Sequence, residues 1–193
     1  DWKKNKDIKR LILKSNSNVF CSGGDVKSLY ESINNREFIK DFFKNEYELN
    51  YAVYAFPKIY LSLWDGLVMG GGAGISLYGK YRIATINTKF SMPESAIGFF
   101  PDVGTSYILS RMKNSMGLFI GLTGYILNYY ETCKLGLANH FVNEKYKYNL
   151  EKTFIKNGII KHDEYSNLTN LQSEIVDNQE FINNHFSRKK INE

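Results

Sequence analysis

Two acids, each placed directly after a proline, and two glycine-rich segments are the residues of this 193-residue chain whose types and spacing can do chemistry. Glu94 follows Pro93 and lies between Met92 and the apolar pair Ala96-Ile97; Asp102 follows Pro101, eight residues on. Desolvation in such a neighbourhood raises a carboxyl's pKa and makes it a stronger base or nucleophile. Upstream, Phe20-Cys21-Ser22-Gly23-Gly24-Asp25 and Met69-Gly70-Gly71-Gly72-Ala73-Gly74 present backbone with no side chains in the way. Two converging backbone N–H groups stabilise negative charge on the oxygen of an attacked carbonyl by about 3–4 kcal/mol per well-placed donor. The amides of Gly24 and Gly71 are the candidates, the second at the positive end of a helix that starts in the triple glycine. A thioester carbonyl attacked by water or by a carboxylate suits this set. Either glycine segment alone fits a plain turn equally well, and either acid alone fits a helix cap. Their combination favours catalysis.

The elements that must position these residues alternate in type. Arg10 to Lys14 and Val19 to Cys21 are strand-like, and Asp25 to Ser32 continues as a helix. Phe38, Ile39, Phe42, Phe43, Tyr47, Leu49 and Val53 recur at helical intervals, which predicts a helix from Glu37 to Ala55 that Pro57 stops. Lys58 to Trp64 is a buried strand, Asp65-Gly66 a turn, Gly72 to Tyr78 a helix of small residues, and Tyr81 to Thr85 and Lys89 to Ser91 two more strands. From Thr105 the pattern is mainly helical, with apolar residues from Leu118 to Leu122 and a strand-like Ala138 to Val142. After Val142 the chain turns polar, with helices predicted over Tyr146 to Gly158 and Asn178 to Ser187 and a loop over Lys161 to Thr169. Repeated strand, strand, helix units imply an α/β layered fold.

At 43% hydrophobic the chain can bury a full core, and no apolar stretch is long enough to span a bilayer, so a membrane partner is not expected. The formal charge of +5 is scattered among Asn and Tyr, with no basic stripe, so nucleic acid is not expected either; a ligand with several phosphates suits the same balance. Cys21 and Cys133 lack metal-type spacing, and a reduced compartment is the default. Cys21 reads as a small buried residue beside the first glycine loop. His140 lies in an apolar run and reads as a core histidine, His162 and His185 as solvated, and Arg188-Lys189-Lys190 as a solvated run. No Ser, His and Asp arrangement supports a serine hydrolase.

The two glycine segments, extended to Gly66 through Gly74, together with Met92-Pro93-Glu94-Ser95-Ala96-Ile97-Gly98 and Phe100-Pro101-Asp102-Val103-Gly104, resemble those of the crotonase superfamily. Within it they are most similar to hydrolases of short branched β-hydroxyacyl-CoA thioesters such as 3-hydroxyisobutyryl-CoA. The similarity is dense from Trp2 to Val142 and faint to Ser187. It implies a crotonase-like ββα superhelix with C-terminal helices, an acyl-CoA partner and no cofactor apart from the CoA of the substrate. It implies an oxyanion hole at Gly24 and Gly71, Glu94 as acid/base or nucleophile, Asp102 as its acidic partner, and Glu46, Gly23 and Gly70 lining the substrate pocket. Lys27 falls where relatives often place a basic residue near the CoA phosphates, although an exposed helix lysine explains it as well. A homo-oligomer and a mitochondrial location are further implications.

Two departures from the family pattern matter. Hydratases carry a second glutamate where this chain has Gly74, and commonly a glycine where it has Asp102; both differences point to hydrolysis. Relatives are also longer at both ends, so the expectation is a partial chain: a catalytic core over 1–142 lacking its N-terminal part, and an incomplete helical segment over 143–193. Another crotonase activity, isomerase or hydratase, and a non-enzymatic CoA- or RNA-binding member remain open alternatives.

Overall fold

The computed structural model describes residues 2–161, 168 and 171–187. His162, the Arg188-Lys189-Lys190 run and most of the loop expected over 161–169 lie outside the described residues. The chain begins with β1 (Arg10–Leu13) and β2 (Val19–Cys21), followed by α1 (Val26–Glu31) and α2 (Arg36–Tyr54). β3 (Ile59–Trp64) and β4 (Leu67–Met69) lead into α3 (Gly71–Gly74). β5 (Tyr81–Ala84) and β6 (Lys89–Ser91) lead through a 3₁₀ turn at Glu94–Ile97 to α4 (Thr105–Leu109) and α5 (Met116–Thr123). β7 (Leu127–Asn128), α6 (Tyr129–Lys134), β8 (His140–Phe141), α7 (Lys147–Asn157), α8 (Glu174–Asp177) and α9 (Gln179–Phe186) complete the order.

From β1 to β6, consecutive strands go to alternate sheets. One sheet has the order β1-β3-β5-β8 and is parallel throughout; the other has the order β2-β4-β6-β7, parallel except for the last pair. Each strand, strand, helix turn thus adds one strand to each sheet, as the alternating pattern predicts.

β3 is buried from Tyr60 to Trp64, as an interior parallel strand covered on both faces should be. Its two faces serve two cores, because side chains alternate along a strand. Leu61 and Leu63 pack with Tyr81, Ile83, Leu150 and Phe154 of α7. Trp64 packs with Phe20, Val68, Phe90 and Met92, and stacks on Phe90 at 5.8 Å between ring centroids. Ile175 of α8 and Ile182 of α9 join this second core.

Local chemistry sets several boundaries. Asp25 caps α1 by accepting from the Ser28 N–H at 3.0 Å, and Asn35 caps α2 by accepting from Phe38 at 3.1 Å. The helix predicted from Gly72 to Tyr78 ends at Gly74 instead. The Ser76 hydroxyl donates to Gly72 O at 2.6 Å and the Tyr60 hydroxyl to Ile75 O at 2.6 Å, so side chains engage carbonyls that a longer helix would use. A four-residue helix carries little dipole; any affinity for negative charge there comes from its unpaired N–H groups. The strand expected over Ala138 to Val142 is confined to His140 and Phe141, flanked by Asn139 N–H to Arg82 O and Val142 N–H to Ala84 O.

Gly72 shows how closely β2 and α3 approach. A Cβ there would lie 2.4 Å from Cys21 O and 2.8 Å from Cys21 Cβ. Gly72→Ala should therefore destabilise the protein by about 1–3 kcal/mol in urea unfolding, the usual range for overpacking. An unchanged unfolding midpoint would show that the two loops do not depend on this contact.

Candidate active site

β2, β4 and β6 are adjacent and parallel, with Cys21 paired to Val68 and Met69 paired to Ser91. The segments that leave their C-terminal ends therefore emerge on one edge: Gly23-Gly24 after β2, Gly70-Gly71 after β4, and Pro93-Glu94 after β6. The carboxyl edge of parallel strands is where open α/β sheets place ligands. Here it borders a cavity of about 470 Å³ whose lining includes Gly23, Gly24, Gly70, Gly71 and Glu94, together with Glu46 from α2 and Asp102. Residues more than seventy positions apart in sequence meet there.

The glycines permit this closeness. A Cβ on Gly71 would lie 3.3 Å from Gly24 N and 2.9 Å from Glu46 Oε1. Gly23 and Gly70 have φ of +114° and +50°, a region that side chains disfavour. Among the described residues no acceptor takes the N–H of Gly24 or of Gly71, the latter being a first-turn donor of α3. Two orphan donors thus line one cavity.

Glu94 opens the 3₁₀ turn after Pro93, and Gly98 ends that turn in the left-handed conformation. The residue is 9% exposed, and Oε2 is buried with no hydrogen-bond partner among the described residues. Burial, with added repulsion from Asp102 and Glu46, pushes its carboxyl up to about 7. A Cβ on Gly70 would lie 3.0 Å from Glu94 Oε1, which places the carboxylate beside the second glycine segment.

Glu46 is half-buried, and burial followed by repulsion from Asp102 raises its pKa. Asp102 accepts a hydrogen bond from the Tyr47 hydroxyl at 2.8 Å, while its own carbonyl accepts from Thr105 N and Thr105 Oγ1, each at 2.7 Å. The next residue, Val103, has φ +45°, an outlier for a β-branched side chain of the kind that marks functional sites. Tyr47 is held protonated by burial and by the carboxylate it serves.

Lys27 is not part of this cavity. It lies exposed on α1, 3.7 Å from Glu31, and lines a neighbouring groove that shares Val26, Leu29, Phe43 and Ile97 with the main cavity. Among the described residues that line the main cavity there is no Lys, Arg or His. His140 is half-buried against Tyr81, and His185 is exposed with Nδ1 2.8 Å from Phe181 O. Burial pushes the Cys133 thiol up to about 12, far from a nucleophile's range. Sequence reasoning missed Tyr47 as a partner of Asp102, and it missed Asn50 altogether. The available signal was position: Phe42, Glu46 and Asn50 recur every four residues, one face of a helix.

The profile of a family described as enoyl-CoA hydratase/isomerase matches residues 1–193. The chain belongs to this family. 3-Hydroxyisobutyryl-CoA hydrolase 1 of Arabidopsis thaliana is 46% identical over 143 residues, covering 73% of this chain and 38% of that protein. The mitochondrial 3-hydroxyisobutyryl-CoA hydrolase of Mus musculus is 42% identical over 146 residues, covering 75% of this chain and 38% of that protein. A solved carnitinyl-CoA dehydratase from Mycobacterium thermoresistibile superposes with a TM-score of 0.89 at 30% identity, over 99% of this chain and 57% of that one. The two-sheet arrangement is therefore the crotonase fold, and the chain spans well under two thirds of the length of these relatives.

Gly74 is the position at which the resemblance puts a second glutamate in hydratases. A Cβ at this position would lie 2.6 Å from Val103 Cβ and 2.8 Å from Asn50 Oδ1. The space a second glutamate needs is filled. Gly74→Glu should cost about 1–3 kcal/mol of stability and gain no crotonyl-CoA hydration, because Val103, which follows Asp102, must move. A variant of wild-type stability that hydrates crotonyl-CoA would show that the pocket accommodates the second acid.

Proposed function

We propose that this chain carries the catalytic centre of an acyl-CoA thioester hydrolase that cleaves short β-hydroxyacyl-CoA, with 3-hydroxyisobutyryl-CoA as substrate, to the free acid and CoA. The observation that carries this reading is the meeting, on one cavity, of two orphan backbone donors and a single buried carboxylate with an unpartnered oxygen. The names of the 46% and 42% identical relatives quoted from a plant and an animal support the substrate, and the animal one supports a mitochondrial location; a role in valine breakdown follows from the resemblance alone.

In this mechanism the N–H groups of Gly24 and Gly71 hold the thioester oxygen as it gains negative charge. Glu94 either removes a proton from water or attacks the carbonyl carbon to form a mixed anhydride that water then opens. Thiolate leaves as the C–S bond breaks, and Asp102 orients the water or the substrate's hydroxyl. CoA enters only as part of the substrate.

Hydration is the second reading, favoured by the naming of the superposed dehydratase. It requires a second positioned acid/base, which Gly74 does not supply; Asp102 could take that part, with Glu46 the other carboxyl on the cavity. Comparing thiol release from the β-hydroxy thioester with hydration of crotonyl-CoA separates the two: faster hydration by the wild-type protein would return Asp102 to that role.

Two outcomes are expected of Glu94. At subsaturating substrate, thiol release should rise as the pH passes through about 7, where Glu94 ionises, and Glu94→Gln should reduce it at least about a hundredfold. Stability should move the other way. The folded-state pKa lies above the ordinary 4.5, so Glu94 is accommodated neutral at low pH, and stability falls as the pH rises from about 4.5, where the unfolded chain ionises, to about 7, above which the loss is complete. Glu94→Gln should thus raise Tm at pH 8 by a few degrees and leave it unchanged at pH 4. Near-normal turnover by this variant removes Glu94 from its role.

A further inference from the structure

Beyond Asp102 lies a second cavity, of about 590 Å³, and Asp102 lines both. Most of its wall is aromatic, but one amide side chain stands in it: Asn50, 7% exposed, with neither Oδ1 nor Nδ2 hydrogen-bonded. An amide buried with both its donor and its acceptor unused is rare in a folded protein and calls for a partner the chain itself does not provide.

The position of Asn50 indicates what that partner is. Along one face of α2, Glu46 lies against Gly71 and Asn50 lies against Gly74, as the ideal Cβ positions on those glycines show. Four residues of helix separate the two side chains by about 6 Å. In a β-hydroxyacyl thioester the hydroxyl oxygen is three bonds, about 3–4 Å, from the carbonyl carbon. A hydrogen bond adds about 3 Å. A carbonyl held at the Gly24 and Gly71 amides thus puts its β-hydroxyl within reach of an amide one helical turn farther along.

We propose that Asn50 is the specificity-determining residue for the acyl group, its Nδ2 donating to the substrate's hydroxyl oxygen and its Oδ1 accepting the hydroxyl proton. The assignment rests on the thioester-hydrolase reading above. A hydroxyl has one donor and a free acceptor, which matches the two unused atoms of the amide. An acyl group lacking the hydroxyl leaves both atoms buried and unpaired, and sites built to bond a hydroxyl reject such analogues strongly. Tyr47, already donating to Asp102, is not free to do the same.

The test compares two ketone analogues of the acyl-CoA, in which a methylene replaces the thioester sulfur so that the carbonyl is kept but cannot be hydrolysed, one with the hydroxylated acyl chain and one with its deoxy counterpart. Their affinities for the full protein are measured by calorimetry, and thiol release from the corresponding thioesters is measured beside them. The wild-type protein should bind the hydroxylated analogue at least tenfold more tightly, and in Asn50→Leu and Asn50→Ala the affinity ratio should fall to about one, with the thiol-release ratio following. A ratio unchanged in either folded variant overturns the assignment, as does an equal loss of affinity for both analogues, which would make Asn50 structural. Failure of both variants to fold also counts against it, because an amide with no partner in the protein should be replaceable by an apolar side chain of similar shape. A wild-type protein that binds the analogues but releases no CoA refutes the hydrolase reading, while the affinity ratio still decides the role of Asn50.

Discussion

Everything proposed for this site depends on the parallel pairing of β2, β4 and β6. Three strands that run in the same direction side by side must release their chains at the same edge, so the segments after Cys21, Met69 and Ser91 become neighbours whatever their separation in sequence. The pairing of β2 with β4 is also irregular between Val19 and Cys21, and the glycines beyond it let two backbones approach to a distance that side chains would forbid. Strand pairing sets where the donors are, and glycine sets how close they come.

α2 and the loop at Asp102 close the site from the other side. Glu46 lies over the glycine pair, and Asp102 stands on a backbone turn held by Thr105 and by the Tyr78 hydroxyl, which donates to Gly104 O at 2.7 Å. With three carboxyl groups on one cavity and no cationic side chain among its described lining residues, the ionised state of the most buried acid is disfavoured. That cost is what places Glu94 near neutrality, where a base is most useful. Stability and reactivity are opposed at this residue.

The chemistry was legible in the sequence because it resides in unusual residues at unusual places. Glycine runs and prolines beside acids stand out in any chain, and the parallel sheets could be inferred from alternating strand and helix patterns. β4 and β7, with three and two residues, are too short for a period to show. α6 was not delimited within the stretch read as mainly helical, although Asn128 and Glu131 form a reciprocal capping box, with bonds of 3.0 and 2.9 Å, that the Asn-x-x-Glu spacing announces. The extent of α3 is decided by hydroxyls of Tyr60 and Ser76, a tertiary effect that local propensity does not contain. Asn50 escaped notice for a related reason: its significance lies in lacking a partner, and only the packed structure reveals that.

The central claim is that the amides of Gly24 and Gly71 act on one thioester carbonyl. Infrared difference spectroscopy of a thioester labelled with ¹³C at the carbonyl, bound to the Glu94→Gln protein so that turnover is slow, observes that bond directly. If both N–H groups donate to the oxygen, the labelled carbonyl band should move to lower wavenumber than in water, because fixed donors in a site shielded from solvent polarise it more strongly. A band at or above its position in water, with the thioester demonstrably bound, would contradict the account.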